Sequence, residues 1–128
     1  SFLTVMEYNG FKLLTMGDLE DDAIEQFLEK SYIQSRISGT DVLIAPHHGL
    51  DSSYTSELFE YISPDLIAIS DAGGTDASAS SKYSDQAEGK TVERRDGPDK
   101  EKYVISTRDN GVLQFKIYSD GSYKAIID

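Results

Sequence analysis

The only two histidines of the chain, His47 and His48, stand side by side where an apolar run at residues 42–46 ends. Imidazole is the commonest metal ligand and the usual acid or base near neutral pH. A second apolar run, residues 12–16, leads through a glycine to the carboxylate of Asp18. One strand end that presents a carboxylate and another that presents imidazoles together predict a shared metal or catalytic site.

The residues alone leave a second interpretation of each position open. The histidine pair also suits a plain turn in which one imidazole hydrogen-bonds a backbone group. Asp18 precedes an acidic helix start and suits a helix N-cap, a role compatible with metal binding through its other oxygen. Ser52 and Ser53 suit a helix cap better than a nucleophile, because no remote His and Asp pairing supports a serine triad.

Composition restricts the classes of protein and of site. The 128 residues fit a single domain, residues 1–128, with a core of its own. The chain has no cysteine, so any metal must be held by His, Asp or Glu. A net charge of −11 argues against broad binding to nucleic acid or anionic membrane, but not against a local phosphodiester site in which bound metal reverses the potential. No apolar run approaches the roughly 20 residues that a membrane helix needs.

The elements that position these residues follow from apolar periodicity. Asn9-Gly10 between the strand-like runs 2–8 and 11–16 is typical of a β-hairpin, because both turn positions favour positive φ. A helix is predicted near residues 21–30, where apolar residues fall on one face and acids cluster in the first turn. Asp18 therefore lies between the hairpin and this helix.

The histidines belong to a predicted strand–helix–strand unit. The apolar run 42–45 predicts a buried strand, residues 55–62 predict a helix, and residues 66–70 predict a second buried strand. Such a unit implies parallel strands. Residues 71–90 lack periodicity and predict a long loop. Lys82 and Tyr83 in this loop, and Arg108 further along the chain, are candidates for phosphate contact, although a surface position is the simpler interpretation of each.

The C-terminal third is predicted to form antiparallel strands that turn at Gly-containing segments. The predicted strands are residues 91–95, 102–107, 112–118 and 123–127. The fold class is therefore α/β, with a mixed sheet, helices and a C-terminal antiparallel meander. The chain begins with Ser1 and enters a strand-like run at once, so we expect it to be a piece of a longer protein.

Three segments in this order resemble a known family. FKLLTMGDLE at residues 11–20 is similar to the strand and Gly-Asp motif of the metallo-β-lactamase fold, and DVLIAPHHG at residues 41–49 is similar to its late His motif. With SPDLIAIS at residues 63–70, the pattern resembles the hydrolase domain of competence proteins of the ComEC/Rec2 type. Residues 1–70 carry most of the resemblance, and residues 71–128 match loosely through YVISTRDNGV at 103–112.

The resemblance implies the C-terminal half of an αββα sandwich that binds two metal ions, usually zinc. Asp18 would bridge the metals, His48 would be the late ligand, and His47 would contact the substrate or support the ligands. Asp18 and His47 are then the catalytic candidates, and a phosphodiester, possibly in nucleic acid, is the expected substrate. A bacterial protein is implied, with cytoplasm and cell envelope both open.

The family's His-x-His-x-Asp-His motif and its middle His are missing from this chain. Either an upstream half of the same domain supplies them, or the protein is a degenerate, non-catalytic member that serves in interactions. The competence-type Tyr-Gly-His-Pro is also missing after the strand at 66–70, where the sequence reads DAGGTDAS at residues 71–78.

Overall fold

A five-stranded sheet forms the centre of the molecule, and a four-stranded sheet covers one of its faces. The computed structural model describes residues 2–71 and 78–128. The strands of this described part are β1 (Thr4–Tyr8), β2 (Phe11–Thr15), β3 (Val42–Ile44), β4 (Leu66–Ile69), β5 (Lys90–Arg94), β6 (Lys100–Lys102), β7 (Val104–Ser106), β8 (Gln114–Ile117) and β9 (Tyr123–Ile127). Its α-helices are α1 (Asp21–Leu28), α2 (Ser31–Ile37), α3 (Ser80–Gln86) and α4 (Thr107–Asn110).

The central sheet has the strand order β1-β2-β3-β4-β7. The predicted hairpin is confirmed: β1 pairs antiparallel with β2, and Asn9 and Gly10 have φ angles of 49° and 93°. The strands β2, β3, β4 and β7 run parallel to one another. Their carboxyl ends therefore meet at one edge of the sheet, which is where α/β folds usually place their ligands.

Alternation along the buried strands divides the core into two layers. Ile67 and Ile69 face the helices, and they pack in one cluster with residues of α1, α2 and α3. Leu66 and Ala68 face the opposite way, and they pack with Val92 and other residues of the second sheet. The molecule is thus a three-layer α/β/β structure, and the predicted α/β class is confirmed.

The helix predicted at residues 55–62 is wrong in type. The connection from β3 to β4 contains the 3₁₀ turn Ser56–Glu60, capped by the side chain of Thr55, which accepts the backbone N–H of Glu57. Pro64 keeps this stretch short, and 3₁₀ geometry is common in short helical stretches. The parallel pairing of β3 with β4 is nevertheless as predicted.

The predicted antiparallel meander is wrong in part. The expected strand 102–107 divides: β6 pairs with β5, whereas β7 joins the central sheet beside β4. The antiparallel pair of β8 and β9 is confirmed, but β5 and β9 run parallel. The reason lies in side-chain character, because β7 carries the apolar pair Val104 and Ile105 into a buried sheet, while β6 is built of charged residues.

The helices also differ from the sequence prediction. The helix expected at residues 21–30 ends at Leu28, and a second helix, α2, follows it with Ile33 and Ile37 on its buried face. The expected loop 71–90 contains α3, although residues 72–77 lie outside the described part of the chain. Within the described residues, no helix combines the length and the apolar character needed to cross a membrane.

Candidate functional site

Chemically active side chains follow the ends of the four parallel strands. Asp18 lies beyond β2, His47 and His48 lie beyond β3, Asp71 lies beyond β4, and Arg108 lies beyond β7. Because these strands are parallel neighbours, the five residues occupy one edge of the sheet. Asp18 and the two histidines therefore share one sheet edge, as the two apolar runs predicted. Asp71 and Arg108 lie at the same edge, where the sequence analysis did not place them.

The histidine turn is joined directly to the Gly-Asp segment. The backbone N–H of His47 donates to the carbonyl of Gly17 over 2.8 Å. A cavity of about 160 Å³ lies between the two segments, and Asp18, His47 and His48 all contribute to its walls. The other lining residues are Thr15, Gly17, Ile44, Ala45 and Ser70. The three predicted site residues thus face one small cavity.

The ring of His48 has a defined tautomer. Its Nδ1 lies 2.6 Å from the backbone carbonyl oxygen of Ser70, the first residue after β4. A carbonyl oxygen can only accept, so Nδ1 carries the proton in this contact and Nε2 keeps its lone pair when the ring is neutral. The His48 side chain is exposed. Nε2 is therefore the atom through which His48 can bind a metal or accept a proton.

His47 has a different partner. Its Nδ1 lies 3.3 Å from Oγ of Ser53, and the centres of the two imidazole rings are 6.2 Å apart. Ser53 is buried, and it does not cap a helix as predicted, because Thr55 takes that role. The sequence signal for this contact is the six-residue spacing from His47 to Ser53 across a tight turn. Ser53 holds the His47 ring in place beside the cavity.

Left-handed backbone shapes the turn. His47, His48 and Gly49 have φ angles of 48°, 58° and 74° in succession. A non-glycine residue in this region costs about 1 kcal/mol or more. A Cβ at Gly49 would lie 3.0 Å from Cδ1 of Ile69, so this position also needs glycine for space. The strain indicates a turn whose geometry is set by its neighbours rather than by local preference.

A buried carboxylate ties β4 to β7 at the same edge. The Asp71 side chain is 2% exposed, and its Oδ2 lies 3.3 Å from Nε of Arg108. The hydroxyl of Thr107 accepts the Asp71 N–H and donates to the Asp71 carbonyl, both over 2.8 Å. Arg108, a candidate for phosphate contact, is thus held beside Asp71, and Tyr83, another candidate, lies in the core instead.

The simpler interpretation of Asp18, that it caps the start of α1, is wrong. Glu20 occupies the N-cap position, and its side chain makes no capping hydrogen bond. The carboxylate of Asp18 is exposed at the cavity. A structural role in the helix start therefore does not account for this residue.

The donor set matches zinc in kind but not in number. Asp18, His48 and His47 offer carboxylate oxygen and imidazole nitrogen, the ligands left to a chain without cysteine. Across residues 2–71 and 78–128, however, no three His, Asp or Glu side chains lie close enough together to hold a metal ion. Further ligands would have to come from outside the described residues.

Comparison with the models of protein families, with curated proteins and with solved structures returned no match to this chain.

Proposed function

We propose that the chain forms part of a metal-dependent hydrolase, with two zinc ions in the intact site and a phosphodiester as the substrate class. Asp18 is the bridging ligand, His48 is the terminal imidazole ligand, and His47 acts beside them. The observation that carries the proposal is the hydrogen bond from His48 Nδ1 to the Ser70 carbonyl, at a cavity shared with Asp18.

The His48 contact is typical of a metal ligand. Metal-binding histidines almost always donate their other ring N–H to a carboxylate, a carbonyl or water, which fixes the ring and raises the basicity of the ligating nitrogen. A plain turn would also place one imidazole against a backbone group, so the cavity that His48 shares with Asp18 is the observation that favours a metal ligand. The same contact favours His48 over His47 as the ligand, because the Nδ1 of His47 faces a hydroxyl, which can donate as well as accept.

Bound metal would lower the pKa of a water molecule and neutralise charge on a phosphoryl group. Asp18 suits the bridging position because one carboxylate can offer an oxygen to each of two cations. His47, oriented by Ser53, is placed to hold or take a proton at Nε2 beside the substrate. A phosphodiester is consistent with the net charge of −11 only if the contact is small and local.

The metal ligands that this chain lacks would come from a partner segment. The resemblance to the competence-type domains assigns them to the upstream half of the same domain, and this chain is then the C-terminal half of the αββα sandwich. The α/β/β arrangement is consistent with the layer order of such a sandwich, in which helices cover the outer face of a sheet and a second sheet packs on its inner face.

A second candidate is a non-catalytic, metallo-β-lactamase-like interaction domain that binds a basic partner through its acidic surface. The incomplete donor set among the described residues favours it. The two candidates differ in what Asp18 and His48 do, because only the first requires both residues to bind metal.

Calorimetric titration of the 128-residue chain with zinc tests the ligand assignment. We expect micromolar or weaker binding, since two or three donors are too few for a tight site. His48→Ala and Asp18→Asn should each weaken it by about tenfold or more. Asp85→Asn, at an exposed position in α3, is the matched control and should leave binding unchanged. Zinc binding that survives both site changes would overturn the assignment, and nanomolar affinity would show that the site is complete without a further half.

Hydrolysis separates the two candidates. In the protein that includes the segment preceding residue 1, we expect cleavage of bis(p-nitrophenyl) phosphate that depends on zinc. Asp18→Asn and His48→Ala should abolish it, whereas Asp85→Asn should not. Failure of this longer protein to cleave the diester with zinc present would favour the interaction domain.

A further inference from the structure

One edge of the central sheet presents apolar side chains to solvent. Strand β1 pairs with β2 on one side, and no strand of the described residues pairs with its other side. Met6 and Tyr8 of β1 are 60% and 57% exposed, and nearby Phe2 and Tyr32 are 82% and 66% exposed. A free strand edge with exposed apolar side chains is a template for pairing with another chain.

An apolar groove follows this edge on the helix side. It has a volume of about 490 Å³ and lies between the start of β1 and the helices α1 and α2. The residues that line it are Phe2, Leu3, Val5, Phe27, Tyr32, Ile33 and Arg36. Arg36 is its one charged residue and makes no ion pair within the described part of the chain. The groove therefore suits apolar side chains followed by a carboxylate.

We propose that β1 pairs antiparallel with β1 of a second copy of the chain, which extends the central sheet across a two-fold axis. The segment formed by Leu3 and β1 has this pattern itself, because the apolar Leu3 and Val5 and then the carboxylate of Glu7 point to the helix side. Val5 and Glu7 lie opposite Leu14 and Lys12 of β2, and Lys12 bonds to the Arg36 carbonyl of α2 and to Glu7.

The charges of the two copies are complementary in this arrangement. If the axis passes at Val5, Glu7 of the second copy lies opposite Leu3, and if it passes at Met6, that Glu7 lies opposite Val5. Leu3 and Val5 both line the groove that contains Arg36. Either register thus brings a carboxylate to the unpaired guanidinium of Arg36, and the symmetry makes this contact twice. The self-complementarity selects a second copy as the occupant.

The area is that of a weak dimer. With about 200 Å² for a side chain of this size, the exposed parts of the four apolar residues total roughly 500 Å² in each copy. Two copies then bury about 1,000 Å², which is the lower limit for a specific interface. We therefore expect a dissociation constant of about 1–100 µM.

Sedimentation equilibrium of the 128-residue chain tests the proposal. The chain should change from monomer to dimer as its concentration rises through the range above. Met6→Lys on β1 and Tyr32→Glu at the groove should each raise the dissociation constant by about tenfold or more, with circular dichroism confirming the fold. Val112→Lys, at a site 67% exposed in the connection between α4 and β8, is the matched control and should have no effect.

A monomer at about 1 mM would overturn the proposal and would mean that a different segment or protein covers the β1 edge. A dimer that both variants leave intact would overturn it as well, because the contact would then lie elsewhere.

A cysteine scan locates the axis. The chain has no cysteine, so a single introduced thiol can form a protein–protein disulfide only with a second copy. Residues on the axis face their own counterparts, close enough for a disulfide when the pair is of the non-hydrogen-bonded type. With oxidised glutathione, Val5→Cys or Met6→Cys should cross-link faster than Val112→Cys. Equal rates for all three variants would contradict the pairing through β1.

Discussion

The turn at His47–Gly49 shows how a residue's backbone decides what its side chain can do. Two histidines in left-handed conformation follow β3 directly, and the second reaches the carbonyl of Ser70 at the end of the neighbouring strand. In extended backbone, successive side chains would point to opposite faces of the sheet. The left-handed turn instead brings both rings to one cavity, at a cost in local backbone strain.

Gly49→Ala measures the packing around this turn. The added Cβ would lie 3.0 Å from Cδ1 of Ile69, and φ is +74°. We expect a loss of about 2–3 kcal/mol in the free energy of unfolding, from backbone strain and close contact together. Gly39→Ala is the matched control, because φ is +80° there and nothing lies within 4 Å of the added Cβ. Urea unfolding should show a loss of only about 1 kcal/mol for the control. Equal losses would mean that the Ile69 side chain moves aside without cost.

At the scale of elements, two side chains that follow β7 hold the residue that follows β4. Thr107, the first residue of α4, bonds with both the N–H and the carbonyl of Asp71, and Arg108 pairs with the buried Asp71 carboxylate. These contacts fix the segment that begins at Ser70, whose carbonyl orients His48. The position of a site residue in the turn after β3 thus depends on contacts between the segments that follow two other strands.

Thr107→Val removes both hydroxyl contacts while keeping the shape of the side chain. We expect a loss of about 1–3 kcal/mol in unfolding free energy, since the buried Asp71 backbone N–H loses its acceptor. Thr91→Val on the exposed face of β5 is the matched control and should change stability by less than about 0.5 kcal/mol. Chemical denaturation of both variants provides the comparison. A Thr107 variant as stable as the control would mean that the two hydroxyl contacts do not stabilise this edge.

Elements with strong local signals could be predicted from the sequence. Asn9-Gly10 fixed the hairpin because its turn needs positive φ at both positions, and the run at residues 66–69 predicted a buried strand. The pairing of distant strands could not be predicted from the sequence. Val104-Ile105 has the pattern of a strand, but nothing in the local sequence shows that it pairs with β4 instead of β5. The same limit applies to the site. Asp18, His47 and His48 carried a signal in residue type, whereas the contact of Ser53 depends on the shape of a local turn and that of Asp71 with Arg108 is made across the fold.

At the scale of the whole molecule, two tyrosines lie in the two interfaces between layers. Tyr83 is buried between the helices and the central sheet, and Tyr123 is buried between the two sheets against Phe11. The Tyr123 hydroxyl donates to Asp65 over 3.2 Å. The Tyr83 hydroxyl has no hydrogen-bond partner within the described residues. Both interfaces therefore contain a group that must stay neutral for the layers to remain packed.

Alkaline pH should open these interfaces. Burial, with the nearby Tyr54 and Asp51, raises the pKa of Tyr83, and burial with the Asp65 carboxylate raises the pKa of Tyr123. The unfolded chain loses these protons from about pH 10, whereas the folded chain keeps them, so stability is unaffected below pH 10 and falls above it. Each tyrosine should contribute a slope of about 1.4 kcal/mol per pH unit to the fall in unfolding free energy.

Tyr83→Phe should remove its share of this slope and, by eliminating an unpaired hydroxyl, stabilise the chain by about 1 kcal/mol at pH 7. Tyr118→Phe, a half-buried control, should do neither. Urea titrations from pH 7 to 11 measure both effects, and the same slope in parent chain and Tyr83→Phe would refute the role given to this tyrosine.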